Sequence, residues 1–312
     1  MIERALSGDV RTAGRLMSLM EDDAARAAEV ARAVQPHAGQ AHVIGVTGPA
    51  GAGKSTLLNA LAGRLHQQHR RLGIVAVDPS SPFNGGALLG DRIRLQERFG
   101  ADGPFIRSMS SRGHNQGLAR AAFGVVELMD AMGYPMVALE TVGAGQNAID
   151  ALRIADTVLL VLAPGLGDAV QAMKAGLLEL ADVVVMNKAD RAEAEEAARD
   201  LRASLAGHPT PEGWAVPVLT ASAAREQGID QLLTTLDAHR THLAASGAGD
   251  LRRRRAAVAA IEAVLADRLA DTVRRLRPAV EDLAPRVAER TLDPFAAAEA
   301  LLRQAGIRDN WA

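Results

Sequence analysis

The 312-residue chain contains no cysteine, which excludes disulfide staples and thiolate metal sites and suits a reducing compartment. Aromatic residues are scarce: they make up 3% of the chain against 48% for all hydrophobic residues, so a core must be built from Ala, Leu, Val and Ile. An excess of either charge is lacking too. Lys plus Arg number 35 and Asp plus Glu 37, a formal net charge of −2, and this removes the basic footprint of a nucleic-acid binder. No apolar run approaches the roughly 20 residues that span a bilayer. Met1-Ile2-Glu3-Arg4 lacks the apolar core of a signal peptide. The expectation is a cytoplasmic protein with neither membrane nor nucleic acid among its partners.

What is present centres on Gly48-Pro49-Ala50-Gly51-Ala52-Gly53-Lys54-Ser55-Thr56, which fits G-x-x-x-x-G-K-[ST] at every fixed position. The apolar, β-branched run His42 to Val46 before it reads as a buried strand, and Leu57, Leu58, Leu61 and Leu65 after it recur on one helical face. In a strand–glycine loop–helix, backbone N–H groups curl round a phosphate and the helix N-terminus adds its partial positive charge. Lys54 is then expected on the β- and γ-phosphates and the Ser55 hydroxyl on Mg²⁺.

From His42 to about Leu243 strands alternate with helices, including Gly73–Asp78, Phe105-Ile106, Met136–Glu140, Thr157–Leu162, Asp182–Asn187 and Val216–Thr220. Nearly continuous apolar strands separated by helices predict an α/β fold, a P-loop NTPase whose mostly parallel sheet is covered on both faces. Ligands of such sheets bind at the C-terminal strand ends. Residues 1–40 read as a helical extension of two helices packed on the main domain, 41–245 as the nucleotide domain and 246–312 as a helical arm. In the arm, Val258, Ile261, Leu265, Leu269, Val273 and Leu276 share a face, and Pro278 and Pro285 are expected to interrupt the helix. The arginine run 252–255 reads as a solvated helix start.

Polar residues at strand ends complete the set. Asn187-Lys188-Ala189-Asp190 matches N-K-x-D: the Asp190 carboxylate can accept from the guanine ring N–H and exocyclic amine, which adenine does not present together. Ser222-Ala223-Ala224, at the end of the next strand, resembles the loop whose backbone N–H, here that of Ala223, meets the guanine oxygen. GTP/GDP is therefore expected. Glu140-Thr141-Val142-Gly143 stands where GTPases place D-x-x-G, with Glu140 near Mg²⁺ and the Gly143 N–H at the γ-phosphate. Asp78 and Asp91 are two further carboxylates able to converge on the metal.

Taken together with Val77-Asp78-Pro79-Ser80-Ser81, Gly85-Gly86-x-x-x-Gly90-Asp91 and Gly165-x-Gly167-Asp168, these motifs resemble the MeaB/ArgK family of GTPases. The likeness covers nearly the whole chain. It implies a GTPase metallochaperone that gates delivery of adenosylcobalamin to an acyl-CoA mutase, a homodimer joined by its C-terminal arm, and the mutase, with its adenosyltransferase, as partners. By that resemblance Lys54, Ser55, Asp78, Asp91 and Glu140 hold the phosphate, metal and catalytic positions, and segment 164–176 is a switch toward the mutase. The chain departs from the family where Gly145-Gln146-Asn147-Ala148 lacks an acidic residue, where Lys174 stands alone, and in Ser110–Gly117. These departures point to a mutase other than the methylmalonyl-CoA enzyme, such as one for isobutyryl- or 2-hydroxyisobutyryl-CoA. The alternatives are a GTPase for nickel-enzyme maturation, disfavoured by the absence of Cys, and a nucleotide-gated scaffold. A small-molecule or protein kinase is a further rival, but nothing in the sequence resembles a phosphoacceptor pocket.

Overall fold

The computed structural model describes residues 1–78, 103–110, 115–141, 152–165, 176–207 and 210–306. Among the described residues, seven strands run β1 (His42–Thr47), β2 (Leu72–Asp78), β3 (Phe105–Ser110), β4 (Met136–Thr141), β5 (Thr157–Leu162), β6 (Val183–Met186) and β7 (Val218–Thr220). They form one sheet in the order β3-β2-β4-β1-β5-β6-β7, and every pair is parallel. The α/β reading holds, and alternation within the strands shows why their apolar runs are unbroken. Ile44, Val46, Ala138, Leu159, Val161 and Val185 face α4 (Lys54–Gln67) and α8 (Ile229–Ser246). On the other face, Val75, Val77, Val137 and Leu139 meet α5 (Asn115–Ala131), while Leu160, Leu162 and Val184 meet α6 (Leu177–Leu180) and α7 (Ala194–Leu205).

The N-terminal extension contains three helices rather than two: α1 (Ile2–Leu6), α2 (Val10–Asp22) and α3 (Ala24–Val34). Asp9 caps α2 by accepting from the Thr12 N–H at 3.0 Å. Asp23 both ends α2 and caps α3, accepting from Ala25 and Arg26 N–H groups at 2.7 and 3.1 Å. One residue turns the chain, so the apolar periodicity gives no sign of the break. Ala13, Leu16, Met17 and Met20 pack with Val30, Val34 and α5 in a single core with the sheet. Arg107 of β3 is tied to Glu21 of α2 through its Nε at 2.7 Å. The segment expected as the two-residue strand Phe105-Ile106 runs six residues.

The chain divides into two compact units, Met1–Ile261 and Glu262–Ala312. Helix α8 ends at Ser246, Gly247 adopts φ +71°, and α9 follows at once as Ala248–Ala288. Contrary to the expected interruption, α9 runs through both Pro278 and Pro285. Each proline removes one backbone donor, but a φ near −65° is already helical, so the turns on either side carry the helix across. The second unit comprises the remainder of α9 and α10 (Pro294–Gln304), the latter capped by Asp293.

Candidate functional site

The site lies at the C-terminal end of β1, between β4 and β5. Gly48, at φ +141°, turns the chain out of β1 so close to its neighbour that a Cβ would stand 2.0 Å from the Val161 carbonyl oxygen. Gly53, at φ +90°, is the N-cap of α4, and a Cβ there would meet Asn187 Nδ2 at 2.4 Å. Only glycine fits either place, and the loop between them carries Pro49, Ala50, Gly51 and Ala52 onto the N-terminus of α4. Lys54 is buried, its ammonium donating to the Gly48 and Pro49 carbonyls at 2.8 and 2.9 Å. The cation is thus held over the loop that the sequence assigns to phosphate. Thr56, in the first turn of α4, points to solvent.

Glu140 shares the sheet face of Met136 and Ala138, the side covered by α4, and its position in β4 pairs with Val46 of β1. The Ser55 hydroxyl donates to Glu140 Oε1 at 2.6 Å. Two of the four metal residues expected from the sequence therefore meet, and their oxygen donors suit a hard divalent cation such as Mg²⁺. Asp78 ends β2 on the same edge of the sheet, although only its backbone belongs to the described part. Asp91, Gly143 and most of segment 164–176 lie outside the described residues, as do the departures from the family pattern at Gly145–Ala148 and Lys174.

The guanine motif reaches the same loop. Asn187 follows β6 and is 1% exposed. Its amide donates to the Ala52 carbonyl at 2.9 Å and to the Gly53 carbonyl at 3.4 Å, and its Oδ1 accepts from the Ala223 N–H at 3.1 Å. The Lys188 ammonium donates to the Gly51 carbonyl at 2.6 Å. Ser222 donates to Asp190 Oδ1 at 2.7 Å, and this bond leads the causes that hold the Asp190 carboxyl below the usual carboxylate range, leaving it an anionic acceptor. Asn187 thus braces three loops together rather than merely lining a base. The Ala223 N–H expected to meet the guanine oxygen is engaged by Asn187, and Ala224 continues the exposed turn beside it. Nothing in the four-letter motif distinguishes a brace from a base contact.

The sequence reading missed Arg252. Instead of standing in a solvated helix start, its guanidinium is 14% exposed and forks onto Asp182 at 2.7 and 2.8 Å. The acid immediately before the apolar strand β6 was the available signal.

Comparison with known proteins gives the family. A family model described as methylmalonyl-CoA mutase-associated GTPase MeaB matches residues 13–277. A candidate GTPase of Pyrococcus abyssi is 40% identical over 309 residues, spanning 97% of this chain and 95% of the relative. The mouse methylmalonic aciduria type A homolog, a mitochondrial protein, is 34% identical over 209 residues, 65% of this chain and 50% of that protein. The crystal structure of a LAO/AO transport system kinase aligns with a TM-score of 0.69 at 27% identity, covering 98% of this chain and 96% of the other.

Proposed function

The chain belongs to the MeaB family of methylmalonyl-CoA mutase-associated GTPases, and on that premise we propose that its GTP hydrolysis gates adenosylcobalamin delivery to an acyl-CoA mutase and protects that enzyme's cofactor. The observation that carries the reading is the family match over residues 13–277, and the name of the mouse relative supports it. In this reading Gly48, Ala50, Gly51, Ala52, Gly53 and Thr56 surround the phosphates and Lys54 neutralises charge that develops on them. Ser55 and Glu140, with Asp78 and Asp91, would hold Mg²⁺, which would neutralise charge on the phosphates. Gly143 meets the γ-phosphate. Asn187, Lys188, Asp190, Ser222, Ala223 and Ala224 form the guanine end.

Residues 1–40, 41–245 and 246–312 serve as extension, GTPase domain and dimerisation arm. Support for a homodimer comes from α9, where Val258, Ile261, Leu265, Leu269 and Val273 are each 54–62% exposed and recur at helical spacing, an apolar stripe that calls for a partner. The mutase's substrate is methylmalonyl-CoA or a related acyl-CoA such as isobutyryl- or 2-hydroxyisobutyryl-CoA, and an adenosyltransferase stands upstream as a second partner.

The test is adenosylcobalamin transfer to a copurified mutase, assayed on a panel of acyl-CoAs with GTP, a non-hydrolysable analogue or no nucleotide. Transfer is expected to follow nucleotide state in the wild type and to lose that control in Lys54→Ala. GTP hydrolysis with no mutase responding would leave the GTPase intact and remove the cobalamin reading.

A further inference from the structure

At the opposite end of the sheet from the phosphate loop, Arg252 in the second turn of α9 reaches the start of β6. Besides its fork on Asp182, Arg252 donates to the Asp156 carbonyl at 2.7 Å and to Glu212 at 3.3 Å. Asp182 is 1% exposed. Its carboxylate also accepts from the Val158 N–H at 2.8 Å, and its carbonyl accepts from Trp214 Nε1 at 2.9 Å. His239 stands beside it, Nε2 3.5 Å from Oδ1. The other ring nitrogen of His239 meets the Thr157 hydroxyl at 2.7 Å, which in turn meets His42 Nε2 at 2.6 Å. Burial lowers the pKa of both imidazoles and keeps them neutral, so Arg252 is the principal cation facing a buried carboxylate.

β6 begins immediately after Asp182. Its four residues are all buried and pair with β5 on one side, and the last three pair with β7 on the other. Asn187 follows it, braced to the phosphate loop. An extended strand cannot lengthen along its axis, so β6 is a short rod with Arg252 at one end and the guanine-motif brace at the other.

We propose that Arg252 is a positioning residue for the nucleotide site, holding Asn187 in register with Ala52, Gly53 and Ala223 by fixing Asp182 at the start of β6. Removing the guanidinium leaves a buried charge uncompensated. The carboxylate relieves this by moving toward water, and the strand moves with it. Hydrogen bonds at 2.9–3.4 Å weaken steeply over a few tenths of an ångström, so the loss appears at the far end. Coupling is reciprocal: nucleotide that orders Asn187 in turn steadies the Asp182–Arg252 pair.

The experiment titrates the full chain with N-methylanthraniloyl-GDP and records melting temperature in parallel. Arg252→Met is expected to weaken binding about fivefold or more, the lower range of site-to-site coupling. Arg253→Met, at an exposed neighbour, is expected to leave it unchanged. Combining Arg252→Met with Asp182→Asn removes both charges and is expected to restore most of the affinity, while Arg252→Lys falls between. Leu243→Ala, a cavity in the core of α8, is expected to lower the melting temperature without weakening GDP. GDP binding by Arg252→Met within about twofold of wild type, despite a lowered melting temperature, would overturn the proposal. Equal loss in the double variant would overturn it too. Should Arg252→Met not fold, Arg252→Lys is compared with wild type by the same criterion.

Discussion

Glu140 lies two residues along β4 from Ala138 and shares its sheet face, and this parity is what brings its carboxylate to the Ser55 hydroxyl at 2.6 Å. Glu140→Gln keeps the shape and the hydrogen bond while removing the charge. We expect steady-state phosphate release to fall about 10²–10³-fold, the range for losing one preorganised electrostatic group, with GDP binding in the absence of divalent cation changed little. Unaltered turnover would remove Glu140 from the reaction. At this scale the motif residues Gly48 to Ser55 were legible because backbone cradle, cation and hydroxyl each demand one residue type at one spacing. The threefold bracing by Asn187 and the fork of Arg252 were not, because their partners stand far away in the chain.

Between residues and molecule, most elements are located by alternation and periodicity. The helix Pro294–Gln304 begins where its proline and its capping Asp293 place it. β3 was read too short because Arg107 looks like the end of an apolar run, whereas it turns to Glu21 and the strand continues. α9 was read as broken because local rules treat proline as a stop. A helix crossing Pro278 lacks one hydrogen bond that Ala would supply, and proline's restriction of the unfolded chain offsets part of that loss. Pro278→Ala is therefore expected to stabilise the chain by about 2 kcal/mol, measured by urea unfolding followed at a helical wavelength. A lower midpoint would mean that the proline shapes α9 rather than merely being tolerated in it.

For the molecule as a whole, the buried imidazoles at the base of the sheet set a pH dependence. Burial is the main cause that pushes His42 down to about 3 and His239 down to about 4 from 6.5. Arg240, His239, Asp237 and Arg70 act on the first, and Asp182, Arg252, His242 and Glu212 on the second. Below pH 6.5 the unfolded chain binds protons that the folded one refuses. The histidine contribution is thus complete above that pH and declines as pH falls toward 4, by up to ~1.4 kcal/mol per pH unit for each histidine, while Glu127, which burial pushes up to about 7, opposes it by a similar slope over the same window. Urea unfolding at pH 7.5, 6.0 and 5.0 should show the net decline, and His239→Gln should remove most of the slope between pH 6 and 5, because Glu127 then offsets the remaining histidine. An identical slope in that variant would show that the acid sensitivity resides elsewhere.

By itself the sequence determined the α/β class, the family, the phosphate loop and the guanine motif. Each of these is written locally, in the period of a strand or helix or in the spacing of a motif. Only the tertiary structure decided which side chains hold those pieces together: Ser55 on Glu140, Asn187 across three loops, Arg107 on the N-terminal helices and Arg252 at the base of β6. The reason is physical. A buried polar group must find its partner wherever the fold brings one, and in a parallel sheet that partner arrives from another strand or helix, tens of residues distant in the chain.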